Sequence, residues 1–261
     1  MKNKITLIKG DCLEKMKYIK DKSIDMILCD LPYGTTARNK WDCIIDYNKL
    51  WKCYRNVSKN NACIALFAQS PFDKTLAVSN INMYRYEWII EKTKATGHLN
   101  AKKMPMKAHE NILIFYNKLP MYNPQMTYNN DPVHSFTKYT DDGTNYGKTK
   151  TGISGGGQTT RYPRDILKFK WDTQKSSLHP TQKPVKLLKY MIKTYTNENE
   201  VVLDNCFGSC STGIACIETN RNFIGIEKDD NYFNVGVKRI KDYLKDNNLE
   251  DQWEVNIIED M

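Results

Sequence analysis

The sequence predicts an α/β fold with a mainly parallel sheet, on three observations. Short apolar runs alternate with segments of helical periodicity along most of the 261 residues. Four of the runs close on an acid: Asp11 just past a glycine, Asp30, Asp204 and Glu227. One passes through a turn of small residues, Asp204 to Gly213 (DNCFGSCSTG), into a helix. In a parallel sheet such acids converge on the carboxyl edge, where open α/β sheets bind ligands.

Ile5–Ile8 reads as a strand ending at Gly10-Asp11-Cys12, followed by a helix carrying Leu13, Met16, Tyr18 and Ile19. Ile24–Asp30 is a buried strand; Pro32 and Gly34 stop it and force a turn, presenting a carboxylate, a rigid kink and the Tyr33 ring together. Helical spacing covers Trp41–Val57, and Ala62–Ala68 is a strand. Pro71 is placed to open a helix through Val78. Tyr86–Glu91 and Ile112–Tyr116 read as strands, joined by a basic loop, Lys92–Lys107. From Asn117 to Ser177 the periodicity is weak, and a structureless loop of that length is uncommon inside a compact domain. An insertion with its own small structure is the expectation. Order returns at His179-Pro-Thr-Gln-Lys183-Pro184, then a helix with Leu187, Leu188, Met191 and Ile192 on one face. Val201–Asp204 and Phe223–Glu227 are strands; Thr212–Thr219 and Tyr232–Leu244 are helices. The implied division is 1–117, 118–177 and 178–261.

The formal charge is +9, concentrated in the middle: from His134 to Lys189, eleven Lys/Arg stand against four Asp, and from Arg239 to Met261 three basic residues stand against seven acidic. A basic middle beside an acidic tail suggests a polyanion partner. None of the eight cysteines forms Cys-x-x-Cys, and several sit in apolar runs as small buried hydrophobes. With no signal-peptide core and no apolar run near the ~20 residues of a membrane span, the expectation is a soluble protein of a reducing compartment. The four His are far apart and none pairs with a Cys at ligand spacing, so no metal site is expected.

The turn Asp204–Gly213 lets a ligand approach backbone N–H groups at a helix start, and Glu227 follows Gly208 by 19 residues. An acid at that distance commonly takes ribose hydroxyls, so the pair points to an adenosine-type cofactor. Taken singly, each motif has a plain alternative: a tight strand–helix turn, a surface lysine at 183, a strand and surface turn at Asp30–Tyr33.

Together these residues resemble the amino-methyltransferases that use S-adenosylmethionine to methylate exocyclic amines in DNA. That family's Asp-Pro-Pro-Tyr motif appears as Asp30-Leu31-Pro32-Tyr33, its cofactor turn as LDNCFGSCSTG, its acidic strand end as Ile224-Gly-Ile-Glu227. The segments His179-Pro-Thr-Gln-Lys183-Pro184 and His109-Glu-Asn-Ile-Leu-Ile-Phe115 also fit. The motif order is similar to the permuted β group. The resemblance implies a Rossmann-like methyltransferase fold with a mainly parallel seven-stranded sheet, circularly permuted, carrying an inserted target-recognition region. It implies Asp30, Leu31, Pro32 and Tyr33 as catalytic. Asp11, Cys12, Lys183, Asp204, Asn205, Phe207, Gly208, Ser209, Ser211 and Glu227 would bind S-adenosylmethionine. Lys148, Lys150, Arg161, Arg164, Lys168 and Lys170 would contact double-stranded DNA. A cytoplasmic location in a bacterial or phage-infected cell follows, with a homodimer and a cognate restriction endonuclease as candidate partners and no membrane.

The chemistry agrees. The N6 lone pair of adenine is delocalised into the ring. A carboxylate at Asp30 and the Leu31 carbonyl can accept its two N–H bonds and favour a pyramidal nitrogen. Tyr33 offers a face for an extruded base, since a target atom inside a duplex is out of reach. Two residues depart from the family pattern: Leu31 where Pro is usual, and Cys210 where Gly is usual. If that glycine needs a positive φ, Cys210 costs cofactor affinity. Competing readings are an N4-cytosine enzyme of the same fold, an RNA methyltransferase, a catalytically silent DNA binder and a nicotinamide dehydrogenase. The acid opening the Asp30 motif favours adenine, and the missing Gly-x-Gly-x-x-Gly disfavours the dehydrogenase.

Overall fold

The computed structural model describes residues 2–34, 43–138, 151–170 and 182–259. Strand β1 (Asn3–Lys9) leads to α1 (Cys12–Lys15) and β2 (Ile24–Asp30). Helix α2 is Tyr47–Val57, shorter than the stretch expected from Trp41; Asp46 caps it, accepting from Lys49 N, and residues 43–46 are not helical. Trp41 itself lies outside the described residues. Next come β3 (Ser58–Ala68), α3 (Phe72–Ser79), β4 (Tyr84–Thr96) and β5 (Lys107–Phe115). Strand β4 runs on to Thr96, well into the segment expected to be a loop, and β5 begins at Lys107, where that segment was expected to end. After β6 (Phe136–Lys138), β7 (Ile153–Gly155) and β8 (Ile166–Phe169), the chain forms α4 (Val185–Tyr195), β9 (Val201–Asp204), α5 (Ser211–Ile217), β10 (Asn222–Glu227), α6 (Asp230–Asp246) and β11 (Trp253–Ile258).

One sheet takes nine of the described strands in the order β11-β1-β10-β9-β2-β3-β5-β4-β8. Its neighbours pair in parallel except at β5, which is antiparallel to both β3 and β4. The fold is thus the expected Rossmann-like one with two strands more than the seven expected, β11 and β8, one at each edge. Both are short and polar on at least one face, which hid them in the sequence.

The central strands are apolar throughout because both faces are covered. Alternate side chains divide between two cores. Met26, Leu28, Cys63, Ala65 and Phe67 pack with Leu187, Met191, Ile214, Phe233 and Ile240 from α4, α5 and α6. Ile27, Cys29, Ile64 and Leu66 pack with Leu50, Trp51, Tyr54, Phe72 and Leu76 from α2 and α3. The sheet is the middle layer of three.

Residues 124–164 form a second compact unit. Within it β6 and β7 pair antiparallel, and Thr127 bridges Arg161. The insertion expected over 118–177 therefore corresponds to a shorter unit. Residues 165–170 join the main sheet through β8, whose Ile166–Phe169 pairs with Ile89–Lys92.

Candidate active site

Parallel pairing brings the carboxyl ends of β1, β2, β9 and β10 to one edge, and a cleft of about 1420 Å³ opens there. All residues expected at catalytic or cofactor positions line it: Asp30, Leu31, Pro32, Tyr33, Asp11, Cys12, Lys183, Asp204, Asn205, Phe207, Gly208, Ser209, Ser211 and Glu227.

Asp30 ends β2. Its Oδ1 accepts the Tyr33 hydroxyl at 2.6 Å and its Oδ2 meets Lys183 Nζ at 2.9 Å. Lys183 also contacts Glu110 Oε2 at 3.1 Å, and Glu110 Oε1 meets Lys92 Nζ at 2.6 Å. Two ammonium groups and two carboxylates alternate along this chain, so their charges cancel, as groups withdrawn from water require. Burial pushes the Asp30 carboxyl up, and Lys183 and the Tyr33 hydroxyl pull it part of the way back. Burial works against the Lys183 charge, but Asp30 and Glu110 outweigh it and raise the ammonium above its usual range. Glu110 is held below its usual value because Lys183 and Lys92 overcome the effect of burial. The Tyr33 ring lies 4.7 Å from that of Phe72, and Lys183 Nζ sits 4.9 Å from the Phe67 ring centroid.

At the other end of the cleft, Glu227 accepts from the backbone N–H groups of Gly208, Lys228 and Asp229 at 2.8–2.9 Å. These bonds hold its carboxylate rigid against the Asp204–Ser211 turn. Asp204 accepts from Thr212 Oγ1 at 2.7 Å and Cys206 N at 3.2 Å; burial, its dominant influence, pushes it up to about 7. Asp11 caps α1 through Leu13 N and meets Lys228 Nζ at 3.1 Å. Asn205 is fixed by the buried Tyr54 hydroxyl at 2.7 Å. Arg239 Nη1 donates to the Ser209 carbonyl and to Ser211 Oγ, both at 2.8 Å, and so pins the turn from behind.

Cys210 adopts the left-handed conformation, at φ 58° and ψ 37°. Its side chain is fully buried and is not part of the cleft wall. It occupies space freed by two glycines: a Cβ on Gly213 would lie 2.6 Å from its Sγ, and one on Gly236 3.1 Å from its Cβ. The strain of this residue therefore falls on the backbone, and its side chain points away from the cleft.

The residues expected to contact DNA fall into three groups. Lys148 and Lys150 lie outside the described residues, as do His179 and Pro180. In the second unit, Arg161 is engaged by its own backbone, donating to the carbonyls of Gln158, Thr160 and Asp131. Arg164 is exposed. On the main sheet, Lys168 pairs with Glu91 at 2.8 Å, and Lys170 lines the cleft. The sequence pattern assigned no role to Lys92, Glu110, Gln182, Tyr54 or Arg239. Glu110 and Gln182 stand inside recognisable motifs, but their importance depends on strand register and burial. Among the described residues no group of His, Cys, Asp and Glu could hold a metal ion, and no helix is long and apolar enough to cross a membrane.

The profile of the N6/N4 family, described as DNA methylase, matches residues 24–238. The chain is 27% identical to the DNA adenine methyltransferase YhdJ of Escherichia coli, over 90% of this chain and 82% of that one. It is 27% identical to the type II methyltransferase M.HinfI of Haemophilus influenzae, over 91% of this chain and 68% of the relative. Its fold is similar to that of the M1.HpyAVI–SAM complex (TM-score 0.61, 22% identity, 90% and 98% of the two chains). It is also similar to the cytosine-N4-specific PvuII DNA methyltransferase (TM-score 0.65, 13% identity, 98% and 97%).

Proposed function

The chain belongs to the N6/N4 family of DNA methylases, and from that premise we propose that it transfers a methyl group from S-adenosylmethionine to N6 of adenine in duplex DNA. The observation that carries this reading is the meeting of Asp30–Tyr33 and Asp204–Ser211 on one cleft. S-adenosylmethionine, when bound, supplies an electrophilic methyl group on a sulfonium.

The residues present suit that molecule. Glu227 spends three acceptor positions on backbone N–H groups, and Oε2 keeps one for a ribose hydroxyl. Gln182 Oε1 is buried, with no partner among the described residues, in a side chain that lines the cleft. It is an acceptor suited to an ammonium group at the methionine end. Gly208, at φ 51°, lets backbone approach a ligand closely.

Asp30 and the Leu31 carbonyl accept the two N–H bonds of the target amine and aim its lone pair at the methyl group. Each Asp30 oxygen already accepts one bond and retains capacity for another. Lys183 keeps Asp30 ionised for that task despite burial. The proton released from N6 passes to Asp30, whose raised affinity for protons suits a transient acceptor. Tyr33 supports the extruded base with its ring face, and its own ring is braced by Phe72. Burial holds the Tyr33 hydroxyl protonated, so it remains a donor to Asp30.

The adenine assignment draws support from the acid that opens the Asp30 motif and from the adenine methyltransferase among the relatives. The test is incubation of the purified protein with unmodified duplex DNA and labelled S-adenosylmethionine beside Asp30→Ala, followed by digestion and mass identification of nucleosides. N6-methyladenine from the wild type alone is the expected result. N4-methylcytosine overturns the base assignment, and absence of any methylated nucleoside overturns the activity.

A further inference from the structure

The β4–β5 hairpin outruns the sheet. Pairing of β5 with β3 stops at Asn111 opposite Ala68, and pairing of β4 with β8 stops at Lys92 opposite Phe169. Beyond those points the two strands have only each other, as far as Thr96 opposite Lys107. Because β4 runs with the parallel strands, the overhang leaves the sheet at the edge where the cleft opens. Its base, at Lys92, Thr93, Lys94 and Thr96, forms part of the cleft wall.

Every residue from Thr96 to His109 is exposed. Five lysines and no acid lie between Glu91 and Glu110. Lys92 is committed to Glu110, and Lys107 donates to the Ser70 carbonyl. Lys94, Lys102 and Lys103 have no acidic partner among the described residues. Between these cations stand Leu99 (89% exposed), Met104 (55%) and Met106 (40%). The tip is nonetheless ordered by its own turns, with Asn100 N bonded to the Gly97 carbonyl and Met104 N to the Asn100 carbonyl. Long apolar side chains held in water beside unneutralised lysines suit a partner that is both polyanionic and apolar in its recesses. A nucleic-acid duplex is such a surface, with phosphates on its rim and sugars and base edges in its grooves.

We propose that the β4–β5 arm grips duplex DNA beside the base turned into the cleft. Lys94, Lys102 and Lys103 neutralise phosphates, and Leu99 and Met104 lie against sugars and base edges in the groove. The inference rests on the reading of the cleft as a DNA methyltransferase site.

The test compares two triple variants that remove equal charge. One is Lys94→Ala/Lys102→Ala/Lys103→Ala on the arm. The other is Lys238→Ala/Lys241→Ala/Lys245→Ala on α6, towards the end of that helix remote from the cleft edge. Binding to a pool of duplex oligonucleotides is followed by fluorescence anisotropy over a salt series. The arm variant is expected to bind at least tenfold more weakly. Its salt slope should flatten by about 0.9 for each phosphate no longer neutralised, with the α6 variant close to wild type. A second variant, Leu99→Ser/Met104→Ser, is expected to lower methyl transfer to duplex DNA about tenfold while S-adenosylmethionine binding stays unchanged. Equal effects of the two triple variants overturn the proposal, as does a full rate from the serine variant. So does an arm that captures anionic lipid vesicles and leaves duplex binding untouched. A wild type that neither binds nor methylates duplex DNA removes the underlying reading and the arm with it. A wild type active on DNA, with arm variants indistinguishable from it, removes the arm alone.

Discussion

Lys183 Nζ lies 2.9 Å from Asp30 Oδ2, joining the residue after Gln182 to the acid that ends β2. The contact bridges the two halves of the chain and favours the ionised form of the carboxylate proposed to receive the target amine.

Replacing Lys183 by Met leaves Asp30 and Glu110 without the cation between them. Removing one partner of a buried pair costs about 3 kcal/mol, and Asp30, at 24% side-chain exposure, keeps the figure at the low end of that range. The unfolding midpoint in urea is expected to drop accordingly. With the cation gone the Asp30 pKa rises further, so the acid limb of the methyl-transfer pH profile moves to higher pH.

Glu110→Gln has the opposite effect on that limb. The negative charge of Glu110 raises the Asp30 pKa, and its removal lets Lys183 serve Asp30 alone. The acid limb moves to lower pH. Glu110 itself is held below its ordinary 4.5, so its ionic bonds stabilise the fold above that value and are lost as pH falls through the lowered one. Melting temperature measured from pH 6 to pH 3 should therefore fall less steeply in the variant.

Asp204 carries the reverse sign. Folding raises its pKa from 3.8 to about 7, so between those values the folded chain holds a proton that the unfolded chain has released. Stability drops as pH rises through that window, by up to about 1.4 kcal/mol per unit, and is level above it. Asp204→Asn removes this slope. Denaturant midpoints at pH 5 and pH 8 are expected to differ for the wild type and to come together in the variant.

Cys210→Gly relieves a left-handed residue, worth about 1–2 kcal/mol. It also empties a buried site, which costs about 2 kcal/mol by comparison with other small core deletions. Stability should stay within about 1 kcal/mol of wild type, with S-adenosylmethionine affinity changed less than twofold. Cys210→Val is expected to be much worse, because a β-branched side chain at φ 58° would also press on Gly213 and Gly236. Equilibrium unfolding and cofactor titration of the two variants check this contrast.

The acids at the strand ends were legible because each closes a local apolar run, and parallel pairing does the rest. The Asp204–Gly213 turn was legible because small residues between a strand and a helix have few other uses. Lys92 and Glu110 were not, since they meet through the register that places Ile90 opposite Glu110 and through the distant Lys183. The outer part of β4, Lys92–Thr96, alternates Lys with Thr and Ala and shows no buried face to read. β11 sits in the acidic tail, where Trp253 is its one buried residue.

The order of strands also bears on how the protein is made. β1 lies between β10 and β11, and β9 lies between β10 and β2. Strand β1 thus has both its neighbours beyond residue 220, and the centre of the sheet waits for residues beyond 200. Contacts of such long sequence separation form late. Until those residues are made there is no wall opposite Asp30, and a nascent chain tethered near nucleic acid holds only half of a cleft.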